Sequence, residues 1–168
     1  MPTAIKAYVR YVEALNRGIG RVMMYLIFVM MAILLWSSFS KVFLLPSIWT
    51  LETAQFALTA YYLLGGPYSL QLGSNVRMDL IYGGWSDRQK AWVDAFSVFA
   101  LMFYLGVLLY GGFSSTAYAL EYGERSYSSW RPYMAPIKII MCIGIFLMML
   151  QAVAEFFKDI ARIRGEDL

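Results

Sequence analysis

Four stretches of this 168-residue chain carry no charged side chain: Val22 to Ser40, Thr53 to Val76, Ala95 to Leu120 and Ile139 to Ala154. A helix rises about 1.5 Å per residue, so roughly 20 apolar residues cross a hydrocarbon core of about 30 Å. The stretches are continuously apolar, whereas barrel strands alternate over shorter segments, so helices are expected. The fourth stretch is short. Lys138, Glu155 and Lys158 can lengthen it by reaching the headgroups along their own stems. The expected architecture is an all-α integral membrane protein with four transmembrane helices, at 20–43, 50–73, 87–118 and 135–159, in a single membrane domain. Sixty per cent of the residues are apolar, and no soluble domain is left once the spans are removed.

Before the first span, Ile5, Tyr8, Val9, Val12, Leu15 and Ile19 recur at helical spacing, with Lys6, Arg10, Glu13 and Arg17 interleaved. Residues 4–19 therefore read as an interfacial amphipathic helix on the inner lipid surface, with a specific partner contact as the alternative. The first apolar run starts only after Arg21 and is too long for a signal peptide, so it is expected to be retained.

Basic residues mark the cytoplasmic side of membrane loops. Lys6, Arg10, Arg17 and Arg21 precede the first span, Arg77, Arg88 and Lys90 lie between the second and third, and Lys158, Arg162 and Arg164 end the chain. Only Lys41, Arg125, Arg131 and Lys138 stand opposite them. Both termini are expected in the cytoplasm, and the net charge of +3 reflects this bias rather than affinity for nucleic acid. Trp49 and Trp130 then mark the outer interface, and Trp85 and Trp92 the inner one.

Chemistry is sparse. The chain has no histidine, which excludes histidine-ligated haem, histidine-containing zinc sites and histidine acid–base catalysis. Cys142 is the single cysteine, so no intramolecular disulfide or CxxC relay can form. Gly65-Gly66-Pro67 is no phosphate loop, because no GK[ST] follows. No catalytic, cofactor, metal or substrate site is expected, and the chain does not read as an enzyme. An ionisable group inside a membrane raises the question of an ion path. Glu52, however, falls in the first turn of the second span, where a helix N-terminus favours a carboxylate and Lys41 is a candidate partner across the loop. Glu155, one turn after Gln151, reads as a boundary residue, and Asp94 lies one turn inside the third span.

Packing signals are clearer. Gly65, Ser69 and Gly73 are four apart, as are Gly112 and Thr116, a small-residue spacing that lets helix backbones approach in lipid. Pro67 is expected to kink the second span. The methionines of the first and fourth spans read as adaptable packing rather than a metal relay. Ser86 to Gln89 forms a capping box at the start of the third span, while Pro132 and Pro136 keep the outer loop, Glu121 to Pro136, from becoming helical.

The loops carry a family resemblance. Trp49 to Glu52, Leu64-Gly65 leading into Gly73-Ser-Asn75-Val-Arg77-Met-Asp79, Ser86 to Asp94, Gly123-Glu124-Arg125-Ser126, Ala135 to Lys138 and Leu150-Gln151 together resemble the DctQ-like small membrane subunit of tripartite ATP-independent periplasmic (TRAP) transporters. The likeness runs from about Ala14 to Ile163. One position departs: Asn75 stands where that family usually has histidine, so a hydrogen bond or tight turn survives there but a proton-titrating role does not.

The resemblance implies a division of labour in a bacterial or archaeal cytoplasmic membrane. A periplasmic substrate-binding protein captures an organic anion, a carboxylate or sulfonate, and a large membrane subunit moves it inward on a sodium gradient. This chain, with no cofactor of its own, would pack beside the static scaffold of the large subunit. Glu52, Gly65, Ser69, Gly73, Asn75, Arg77, Asp79, Glu124, Arg125, Ser126, Arg131, Lys138 and Gln151 are the candidate partner-interface or structural residues. Arg77 and Asp79 suit either an internal ion pair or contact with the large subunit. Two other readings stay open on the residues alone: a self-sufficient four-helix exporter, and a non-transport membrane assembly protein.

Overall fold

No proline interrupts the chain between Thr3 and Phe43, and one helix, α1 (Thr3–Phe43), runs unbroken through all 41 residues in the computed structural model. The structure describes residues 3–73, 84 and 86–164. Pro46 follows the end of α1, as expected of a residue that disfavours helix immediately before it. Helix α2 (Thr50–Gln71) ends where Gly73 turns left-handed, at φ 63°, a conformation glycine adopts without steric cost. There the Gly73 N–H donates to the Leu70 carbonyl at 3.1 Å. Helix α3 (Asp87–Glu121) starts at the expected capping box, with Ser86 and Gln89 bonded reciprocally. It stops at Gly123, φ 59°, where the Glu124 N–H donates to the Ala119 carbonyl at 3.1 Å. Helix α4 (Ala135–Arg164) holds Pro136 in its first turn, where a missing N–H costs nothing.

The described residues form no strand beyond an isolated bridge between Arg125 and Tyr133. Among the described residues, three helices contain a segment long and apolar enough to cross a membrane: Thr3–Phe43, Trp92–Glu121 and Ala135–Ala161. Helix α2 is not among them, because Glu52, Gln55, Gln71, Pro67 and several tyrosines and glycines dilute its apolar content.

Helix α4 is the hub, packing against each of the other three, and α2 also packs against α1. Three glycines set the closest approaches. A Cβ at Gly144 of α4 would lie 2.8 Å from the backbone of Leu63 in α2. One at Gly20 of α1 would overlap Tyr68, and one at Gly66 would overlap the Met148 methyl group. Leu105 and Ile145 bury the α3–α4 contact, with Leu63, Leu70 and Leu101 packed around them. The apolar windows of α1 and α3 are otherwise only 6% buried within this chain, against 44% for α4.

One expectation is corrected. Residues 4–19 are not a separate interfacial helix, because α1 continues through Gly18 and Gly20 without a break. Their apolar stripe is used inside the chain: Val9 and Val12 are buried against Ala154, with Ile5, Tyr8, Leu150 and Phe157 around them. The ring edge of Tyr8 meets Phe157 at 6.3 Å between centroids. Helices α3 and α4 also outrun their expected ends, to Glu121 and Arg164.

Candidate functional site

The polar side chains collect at the two ends of the bundle. At the end carrying both termini, Asn16 of α1 is 1% exposed and Gln151 of α4 is fully buried. Asn16 Nδ2 donates to Gln151 Oε1 at 2.8 Å, and Gln151 Nε2 donates to Glu155 Oε1 at 2.9 Å. Lys158 Nζ donates to the same Glu155 oxygen at 3.0 Å and closes an ion pair with Glu13. The direction of the chain follows from charge. The carboxylate of Glu155 accepts only, so the Gln151 amide must turn its N–H₂ toward it and its carbonyl toward Asn16. Asn16 must then donate, which leaves its own Oδ1 buried without a partner among the described residues. The Tyr8 hydroxyl adds a bond to the Leu150 carbonyl at 3.1 Å. These contacts fasten the first half of α1 to the last half of α4.

The opposite end is fastened through loops. Ser37 and Ser40 of α1, Ser47 of the connection and Thr50 of α2 form a buried hydroxyl cluster, with Thr50 Oγ1 to Ser37 Oγ at 3.0 Å and Ser47 Oγ to Ser40 Oγ at 3.2 Å. Glu52, 8% exposed, accepts a hydrogen bond from the Ser126 hydroxyl, so the α3–α4 loop is tied to the first turn of α2. Its second oxygen is buried without a partner among the described residues. The expected partner of Glu52, Lys41, is displaced in that role by Ser126, because the carboxylate turns inward toward the loop. The loop is itself braced. Lys138 pairs with Glu124, the Ser126 N–H donates to the Pro132 carbonyl at 3.0 Å, and the Met134 N–H donates to the Glu124 carbonyl at 2.9 Å. The Arg125 guanidinium sits 4.1 Å from the centre of the Tyr133 ring and donates to its hydroxyl. Arg131 holds a left-handed backbone, φ 49°, at the exposed turn.

The expected residues thus separate into groups. Glu52, Glu124, Arg125, Ser126 and Lys138 come together at the loop end with Arg131 beside them, and Gln151 lies at the terminal end. Gly65 and Gly73 meet no atom within 4 Å of an added Cβ, so this stripe makes no close helix contact inside the chain. Gly65 and Ser69 instead line a groove of about 470 Å³. The Gly112 and Thr116 pair does make contact: the Thr116 hydroxyl lies 3.3 Å from the Cys142 sulfur of α4. Asn75, Arg77 and Asp79 lie outside the described residues.

Asn16 was not anticipated, although Val9, Val12, Asn16 and Gly20 step along one buried face at helical spacing. A polar residue on an apolar stripe was the available signal. The hydroxyl cluster was likewise missed, with Ser37 and Ser40 three apart as its trace.

The arrangement braces the helices against one another and against the α3–α4 loop. No curated protein and no solved structure matches the chain. The family model of the DctQ component of tripartite ATP-independent periplasmic transporters matches residues 30–162, from the apolar half of α1 through nearly all of α4. A match over that much of the sequence, on a helical bundle of this kind, places the chain in the DctQ family of TRAP transporter components.

Proposed function

We propose that the chain is a static scaffold for the large membrane subunit in sodium-driven uptake of organic anions fed by a periplasmic binding protein. In this reading all four helices cross the bilayer, both termini are cytoplasmic, and α2 crosses with its polar residues shielded by α1 and α4. The observation that carries the reading is the placement of charge. Glu13, Glu155 and Lys158 are engaged with one another at one end, and Glu124 and Lys138 at the other. The apolar runs between these ends carry no charged residue. A transporter that couples movement to an ion wants titratable groups near the midplane. What this chain offers there is packing surface, most of it on α1 and α3.

Reconstitution tests the reading. Vesicles containing this chain alone should take up no organic anion, whereas sodium-dependent uptake should require the chain, the large subunit and the binding protein together. Uptake by the small chain alone would sink the scaffold role. Arg77 is proposed to contact the large subunit, so Arg77→Glu should weaken recovery of that subunit in a pull-down. Wild-type recovery and uptake would remove Arg77 from the interface.

A further inference from the structure

The groove noted above runs along the junction of α1 and α2, with Gly20 and Met24 on one side, Tyr62, Gly65 and Ser69 on the other, and Met148 of α4 as part of its floor. Its lining is mostly apolar, with the hydroxyl-bearing Tyr61, Tyr62, Tyr68 and Ser69 among it. Gly65 leaves open space over its Cα, and Tyr62 and Met24 are more than half exposed, so the groove faces outward from the bundle. Helices α1 and α4, which help to line it, carry segments long and apolar enough to cross a membrane. An apolar lining alone would not retain a lipid, because lipid tails meet apolar surface everywhere in a bilayer. Two further features do. The groove is concave, so an occupant gains dispersion contacts on several sides at once. Its end nearer the termini also lies beside positive charge. Arg17 precedes Met24 by seven residues, on the same face of α1, and Arg21 flanks Gly20. Both arginines are exposed, and neither has an ion-pair partner among the described residues.

We infer that this groove is a phospholipid site: one acyl chain lies over Gly65 between α1 and α2, and the phosphate is held by Arg17 and Arg21. Arginine suits this task because its planar fork of donors matches phosphate oxygens. The site explains why the small-residue face of α2 makes no close contact inside the chain. Gly65 and Ser69 keep the groove deep enough for a hydrocarbon chain, whereas Gly66, one residue further round, packs on Met148.

The test uses the full chain in lipid nanodiscs containing a phosphatidylglycerol whose acyl chain bears a photoreactive diazirine. Labelled peptides are mapped by mass spectrometry. Labelling should concentrate on Met23, Met24 and Tyr62, and Gly65→Leu should lower it about tenfold there while labelling of the outer face of α3 stays unchanged. Ser69→Phe, a second groove-filling change, should act in the same way, and thermal unfolding reports whether either variant remains folded. Arg17→Gln with Arg21→Gln should lower the groove signal without filling the groove. Uniform labelling over every apolar face, or groove labelling unmoved by these folded variants, would overturn the site. So would strong groove labelling in the isolated chain that is lost on assembly with the large subunit, because the groove would then be a helix-docking surface.

Discussion

Asn16 and Gln151 are 135 residues apart in sequence and 2.8 Å apart at their amides. Removing one partner strands the other, since a buried donor or acceptor left unmatched costs about 1–3 kcal/mol. Replacing both by apolar side chains of similar size removes the unmatched group as well, and also the unpartnered Oδ1 of Asn16. Gln151→Leu and Asn16→Leu are therefore each expected to destabilise the protein, and the double variant by less than their sum, with a coupling of about 1 kcal/mol. Unfolding of the purified protein in mixed micelles measures this, and strict additivity would show that the two amides do not act as a pair. Their partnership was not legible in the sequence. An asparagine in an apolar stripe says that something polar must face it, but which of the distant glutamines does so depends on how α1 lies on α4.

Helix starts were much more legible. Ser86 and Gln89 announce α3 by matching donors to acceptors locally, whereas Pro136, expected to keep the outer loop from being helical, lies in the first turn of α4, where its ring is tolerated. Which glycines bring helices together was less so, because spacing identifies a face but not its neighbour. Gly65, Ser69 and Gly73 have the expected spacing and open onto a groove, while Gly144, outside any such stripe, meets the backbone of Leu63. The two kinds of glycine should answer substitution differently. Gly144→Val is expected to force α2 and α4 apart and to cost about 1–3 kcal/mol, seen as a lower melting temperature. Gly65→Ala should leave the melting temperature nearly unchanged. A reversed order would mean that α2 meets α4 along a different face.

The placement of basic residues makes a testable statement about the protein in its membrane. With Cys142 replaced by alanine, single cysteines at Ala4 and at Leu168 should react with an impermeant maleimide only after the cells are opened, and one at Ser129 should react in intact spheroplasts. Labelling of Leu168→Cys in intact spheroplasts would contradict the cytoplasmic C-terminus. The helical class and the crowding of charge at the ends could be read from the apolar runs alone. The continuity of α1 could not, because its first half has the composition of a surface-lying helix and only packing on α4 gives that stripe another use.

That continuity has a mechanical consequence. Forty-one helical residues extend roughly 60 Å, about twice the thickness of a hydrocarbon core. Near one extremity α1 is clamped to α4 through Glu13 and Asn16, and near the other it is joined to α2 through Ser37 and Ser40. Force applied to the first half therefore acts on a lever with two attachment points rather than on a loose tether, and any protein gripping that half would turn the second half with it.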